Sequence, residues 1–96
     1  MSDKEQLLFL LREYYHGGYS TETFSGEFSR IFDHEMDYSL LNDIEHRLMS
    51  ELSTITNRFS PYESDFRFKN VYFTELQVKE KATEVYMKLK EMDENS

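Results

Sequence analysis

Cysteine is absent from the 96-residue chain, which excludes a disulfide framework, a thiolate zinc site and a cysteine nucleophile. Proline occurs once and glycine three times, so residues that interrupt helices are scarce. The longest run of aliphatic and aromatic residues, from Leu7 to Leu11, is too short to span a bilayer. The chain begins MSDKE, which is unlike a signal peptide. We therefore expect one cytoplasmic domain that does not associate with membranes.

The charge of the chain is strongly acidic. Nineteen aspartate and glutamate residues stand against eleven lysine and arginine residues, which gives a net charge of −8. Hydrophobic residues make up 39% of the chain and aromatic residues 16%, too much apolar material for a disordered acidic tail. An acidic surface repels nucleic acid and attracts basic surfaces, so a basic protein is the expected class of partner.

Apolar residues recur at helical spacing in four segments, which predicts helices over about residues 3–15, 21–34, 39–58 and 75–91. Ser2 with Glu5 and Thr74 with Gln77 have the spacing of capping boxes at the first and fourth helices. The predicted core stripe of the third helix is Leu41, Ile44, Leu48, Leu52, Ile55 and Phe59. The expected fold is all-α, a four-helix antiparallel bundle with a long connection between helices three and four.

The sequence contains no recognisable set of catalytic residues. The three histidines form no H-E-x-x-H motif, and Asp43 with His46 is a single D-x-x-H without the second copy that a di-iron bundle requires. Phosphate-binding loops and nucleophile elbows are also absent. A metal held by Asp33, His34 and Glu35 is the weaker alternative to exposed side chains at a helix end. We predict a protein that is not an enzyme and has no catalytic residue, metal or cofactor.

Negative charge is concentrated in the middle of the chain. Residues 20–65 contain ten acidic and three basic residues, whereas residues 66–90 contain three acidic and six basic residues. These acids either solvate the outer faces of helices or include a subset that forms a patch for a basic partner. A patch would act mainly on association rate and partner choice.

Aromatic residues are concentrated between the third and fourth helices. They are Phe59, Tyr62, Phe66, Phe68, Tyr72 and Phe73. These rings either close the end of the bundle or include one or two exposed interface anchors. Tyr62 is the first candidate for an anchor because it lies between Pro61 and Glu63.

The chain resembles the colicin D-type, self-protective bacterial immunity proteins from about Leu7 to Leu89. Four stretches support the resemblance: the apolar first helix followed by Gly18-Tyr19-Ser20 and Phe24, the long leucine and isoleucine stripe of the third helix, Asn57-Arg58-Phe59-Ser60-Pro61, and Tyr72-Phe73-Thr74-Glu75-Leu76. One departure concerns the proline. Acidic residues crowd it in that family, whereas here they follow slightly later, at Glu63 and Asp65.

The resemblance implies a protein that binds and neutralises a cognate bacterial nuclease toxin, of colicin or contact-dependent inhibition type, which cleaves transfer RNA. A nuclease grips phosphates with lysine and arginine, so carboxylates at matching positions can occupy its basic cleft. The hypothesis assigns this role to Asp43, Glu51, Glu63 and Asp65, with Tyr62 as the anchor.

Three other interpretations stay open at this point. The first is an acidic helical adaptor or nucleic-acid mimic that inhibits a different basic protein. The second is a helical subunit that self-associates through its aromatic residues, and the third is an unrecognised metal-dependent enzyme.

Overall fold

A computed structural model describes residues 2–62 and 72–94 of the chain, and within them the fold is all-α. The four helices are α1 (Asp3–Tyr15), α2 (Thr21–Arg30), α3 (Asp43–Thr56) and α4 (Glu75–Glu94). They form the predicted four-helix bundle, with residues 57–74 connecting α3 to α4. Over the described ranges, every helix is too short or too polar to span a bilayer.

Both ends of α1 are set by local hydrogen bonds. The Ser2 hydroxyl accepts from the Glu5 amide, and the Glu5 carboxylate accepts from the Ser2 amide, which completes the predicted capping box. At the other end, Gly17 has a φ of 87°. The amides of Gly17 and Gly18 donate back to the carbonyls of Tyr14 and Glu13, so the chain leaves α1 through a Schellman motif.

The second helix extends as far as predicted but changes its winding. Regular α-helix ends at Arg30, and a π-helical turn continues from Ile31 to Glu35. The Met36 amide closes this turn by donating to the carbonyl of Ile31, five residues earlier. Short π-helical turns of this kind occur frequently at functional sites.

The prediction that the third helix begins near residue 39 is wrong, because α3 begins at Asp43. Asn42 ends the non-helical segment by accepting from the Glu45 amide, while the Glu45 carboxylate accepts from the Asn42 amide. The residues before it form a separate 3-10 turn, Tyr38–Leu40, capped by Asp37. Capping chemistry therefore divides a segment whose apolar spacing looks continuous.

The last connection is anchored on both sides. Phe59 and Phe73 form a parallel bridge, in which the Ser60 amide donates to the carbonyl of Phe73. Thr74 and Gln77 then exchange backbone-to-side-chain hydrogen bonds at the start of α4, so the second predicted capping box is confirmed.

One hydrophobic core joins all four helices. Its most deeply buried large side chains are Leu7, Leu11, Phe24, Phe28, Leu48, Met49, Leu52, Val78 and Val85. Helix α4 runs antiparallel to α3. Glu51, in the second half of α3, contacts Lys81 in the first half of α4, whereas Ile44, near the start of α3, lines a groove with Met92, near the end of α4. Three members of the predicted α3 stripe, Leu41, Ile55 and Phe59, pack against this core but are only partly buried.

Candidate protein-binding surface

The connection between α2 and α3 carries a concentrated negative charge. From Asp33 to Ile44 the chain has four acidic residues and neither lysine nor arginine. All four carboxylate side chains are exposed, at Asp33, Glu35, Asp37 and Asp43. We call the exposed side chains between Asp33 and Ile44 the α2–α3 surface.

Three large apolar side chains lie within the same segment and are open to solvent. Tyr38 is 44% exposed, Leu40 is 43% exposed and Ile44 is 47% exposed. Exposed apolar side chains that share one segment with exposed carboxylates have the composition expected of the centre and rim of a protein interface. The arrangement is therefore suited to contact with a protein that is basic at its edge and apolar at its centre.

Tertiary contacts hold this segment in place. The Tyr38 hydroxyl donates to the carbonyl of Phe32 at 2.8 Å. The rings of Phe32, Tyr38 and His46 pack together, with centroids 5.0 to 6.1 Å apart. The π-helical turn, the 3-10 turn and the first turns of α3 therefore form one aromatic cluster. Side chains presented by an ordered segment lose less conformational entropy on binding than side chains of a mobile loop.

The carboxylates of the surface differ in what they do within the fold. Asp33 accepts hydrogen bonds from the Ser53 hydroxyl at 2.9 Å and from the Asn57 side-chain amide at 2.7 Å. Glu35 forms an ion pair with Arg30 at 2.6 Å. Both groups connect the π-helical turn to its neighbours. The donors to Asp33 are neutral, so its charge is kept, whereas the charge of Glu35 is paired with that of Arg30.

Asp37 and Asp43 leave more of their charge available to a partner. Hydrogen bonds from the Ser39 hydroxyl and amide lower the pKa of Asp37 below its usual value, which keeps the carboxylate ionised. Asp43 is the first residue of α3, where a negative side chain is favoured by the helix dipole. Within the described residues, Asp43 forms no ion pair.

Glu51, a predicted partner-binding residue, belongs to a surface ion-pair network between α3 and α4. The Lys81 ammonium donates to Glu51 at 2.7 Å and to Glu84 at 2.6 Å. The hydrogen bond and the charge of Lys81 lower the pKa of Glu51. Asp43 and Glu51 are eight residues apart on α3, about 12 Å along its axis. The carboxylate of Glu51 therefore connects α3 to α4 and does not extend the α2–α3 surface.

Tyr62 is 65% exposed, but it lies at the other end of α3 from Asp43. It follows the Phe59–Phe73 bridge, and its amide donates to the Ser60 hydroxyl. The structure therefore does not place Asp43, Glu51 and Tyr62 in one patch. The other two predicted residues, Glu63 and Asp65, lie outside the described residues, as do Phe66 and Phe68.

Sequence reasoning missed the apolar half of the α2–α3 surface. The apolar spacing places Ile44 in the core stripe of the third helix, and it indicates no binding role for Tyr38 or Leu40. The available signal was the cap spacing, because Asn42 followed by Glu45 marks a helix start and places Leu40 before it. In the described part of the chain, no three histidine or acidic residues lie close enough together to hold a metal ion.

Comparison of the chain with protein-family models, with curated proteins and with solved structures finds no match.

Proposed function

We propose that this protein is an immunity protein, which binds a cognate bacterial nuclease toxin and neutralises it by placing an acidic surface against its basic substrate cleft. The observation that carries the proposal is the α2–α3 surface, where four exposed carboxylates and three exposed apolar side chains share a stretch of twelve residues that contains no lysine or arginine. A cleft that binds RNA phosphates has the opposite charge. The resemblance to colicin D-type immunity proteins supports the same partner class.

The apolar side chains favour this function over a pure nucleic-acid mimic. A phosphate mimic needs spaced carboxylates, whereas a protein inhibitor also gains affinity from a desolvated apolar centre. Leu40 and Ile44 have the exposure such a centre requires. The carboxylates of Asp37 and Asp43 would steer association and pair with lysine or arginine at the edge of the toxin's cleft.

In this proposal the protein acts by binding alone and has no catalytic role. Inhibition should therefore be stoichiometric: nuclease activity should fall in proportion to added protein and stop falling at a fixed molar ratio. A transfer-RNA-cleaving toxin acts in the cytoplasm, so the proposed inhibitor works there. An inhibitor that kept inactivating toxin far beyond that ratio would be a catalyst, and the proposal would then be wrong.

The direct experiment measures binding and inhibition of the nuclease domain encoded by the neighbouring toxin gene. Calorimetry gives the dissociation constant, and transfer-RNA cleavage gives the inhibition. Leu40→Asp and Asp43→Lys should each weaken binding about tenfold or more, since each removes a contact at the α2–α3 surface. Glu22→Lys is the matched control for Asp43→Lys, because Glu22 is an exposed acid in the first turn of α2.

Two results would contradict the proposal. The first is the absence of binding between the protein and the product of the adjacent gene. The second is equal loss of binding in Glu22→Lys and Asp43→Lys, because overall charge would then matter and the α2–α3 surface would not. Circular dichroism of each variant separates loss of binding from loss of fold.

A further inference from the structure

A second surface lies between α1 and α4 and shares no residue with the α2–α3 surface. It is a groove of about 400 Å³. Its apolar lining comes from Leu8, Phe9, Leu11, Tyr86 and Leu89, and its charged lining from Glu5, Arg12, Lys90 and Asp93. The proposed toxin contact does not use this groove.

The apolar part of the groove is incompletely covered by the protein itself. Phe9 is 36% exposed, and the Arg12 guanidinium lies 5.8 Å from the centre of its ring. The rings of Tyr15 and Tyr86 stack beyond it, with centroids 4.6 Å apart, and Tyr15 is also exposed. Aromatic residues and arginine are the residue types enriched at interface centres.

The charges of the groove are distributed unevenly along its length. Helix α4 is antiparallel to α1. Tyr15, at the end of α1, stacks on Tyr86 in the middle of α4, whereas Glu5, near the start of α1, lines the groove together with Asp93, near the end of α4. Glu5 and Arg12 are seven residues apart on α1, about 10 Å along its axis. The α1 side of the groove therefore has a carboxylate at one end and a guanidinium at the other, and the Arg12 guanidinium also lies 3.5 Å from the Glu13 carboxylate.

From this distribution we infer that the groove binds a second copy of the chain through a two-fold symmetric contact. A two-fold axis across the groove reverses the direction of the partner, so Glu5 of each copy faces Arg12 of the other. Phe9 of each copy then fills the apolar lining of the other. A self-complementary charge pattern is what an isologous interface requires, whereas a uniformly basic or acidic partner would meet one unfavourable end.

The net charge of −8 on each copy opposes this association. At roughly 0.15 M salt the Debye length is about 8 Å, so repulsion between distant charges is screened while contacts inside the groove persist. The dimer should therefore be measured at moderate ionic strength.

The first test is the molar mass of the full chain in solution, from sedimentation or light scattering, at up to roughly 100 μM, where even a micromolar dimer is well populated. The unmodified protein should approach twice its monomer mass. Phe9→Asp should raise the dimer dissociation constant about tenfold or more. Met87→Asp is the matched control, because Met87 is an exposed apolar residue of α4 that does not line the groove.

The second test exchanges charges. Arg12→Glu and Glu5→Lys should each be mainly monomeric alone, but an equal mixture should form a heterodimer. In that mixture the lysine introduced in one copy faces the glutamate introduced in the other, while the second, native pair of Glu5 and Arg12 is kept. Circular dichroism checks that Glu5→Lys, which loses part of the α1 cap, remains helical.

Three results would each overturn the inference: a monomer at every concentration, a dimer lost in Met87→Asp but not in Phe9→Asp, or a mixture of the charge variants that stays monomeric. Toxin binding by a monomeric Phe9→Asp variant would leave the proposed function intact.

Discussion

Replacing Leu48 and Ile44 by alanine, one at a time, tests where α3 meets the core. The two residues are one helical turn apart on α3 and have the same number of side-chain carbons. Their apolar spacing places both in the core stripe, but Leu48 is 1% exposed and Ile44 is 47% exposed. The same chemical change should therefore have very different effects on the free energy of unfolding.

The expected magnitudes follow from burial. Each substitution removes three carbon atoms, worth about 2.4 kcal/mol when fully buried at ~0.8 kcal/mol each. Leu48→Ala also leaves a cavity, so we expect a loss of about 3 kcal/mol, within the usual range for leucine to alanine in a core. Ile44→Ala loses about half of the transfer contribution, and alanine favours helix by ~0.4 kcal/mol over isoleucine, which leaves a loss below about 1 kcal/mol.

Urea denaturation followed by circular dichroism measures both values from the shift in midpoint at constant slope. Equal losses for the two variants would refute the burial difference and would place Ile44 in the core. The pair also serves the functional proposal. Ile44→Ala should weaken binding to the nuclease domain while the fold is kept, so affinity and stability change independently at this position.

Three further predictions concern local stability. Gly17→Ala should destabilise the fold by about 1–2 kcal/mol in the urea assay, because φ at this position is 87°. Gly26→Ala should instead stabilise α2 by about 0.5–1 kcal/mol, because an added Cβ there meets nothing within 4 Å. Asn42→Ala should destabilise the fold by about 1 kcal/mol in thermal unfolding, since it removes the α3 cap; an unchanged midpoint would contradict the assigned helix start. The hydrogen bond from Lys81 and its charge hold the pKa of Glu51 below the ordinary value of 4.5. The ion pair of Glu51 with Lys81 therefore stabilises the fold above pH 4.5, and this stabilisation is lost as the pH falls. Glu51→Gln should lose less stability on acidification than the unmodified protein.

Features determined by a few neighbouring residues were predictable from the sequence. The limits of α1, its capping box and the left-handed Gly17 follow from side chains within four residues of each helix end. The capping box of Thr74 and Gln77 is equally local. The all-α bundle followed from sustained apolar periodicity, which does not depend on how the helices pack.

The start of α3 was not predicted, because two local signals conflict there. Apolar spacing continues from Leu41 into the helix, whereas Asp37 and Asn42 both offer side-chain caps. Tertiary contacts accompany the later start: the Tyr38 hydroxyl reaches the carbonyl of Phe32, and its ring packs beside His46. A contact between the end of one helix and the connection after it has no period that a sequence pattern can reveal.

The candidate site was only partly predictable for the same reason. Asp43, a predicted partner-binding residue, lies on the α2–α3 surface, and its role in binding stays a prediction. Glu51 has the same charge, but Lys81, thirty residues later, pairs with it. Whether a carboxylate is available to a partner depends on which cation the fold brings beside it, and that information is in the packing.

The end of regular α-helix at Arg30 and the start of α3 at Asp43 have one consequence for the proposed function. If helix continued unbroken through residues 37–42, Leu40 and Ile44 would lie one turn apart on a single face that the core could absorb. Because Asp37 and Asn42 cap separate turns, both side chains remain exposed at the surface. The polar caps thus determine where apolar area is exposed. If the proposed function is right, a variant that joined the two turns should bury the proposed anchors and fail to bind the toxin without losing helix content.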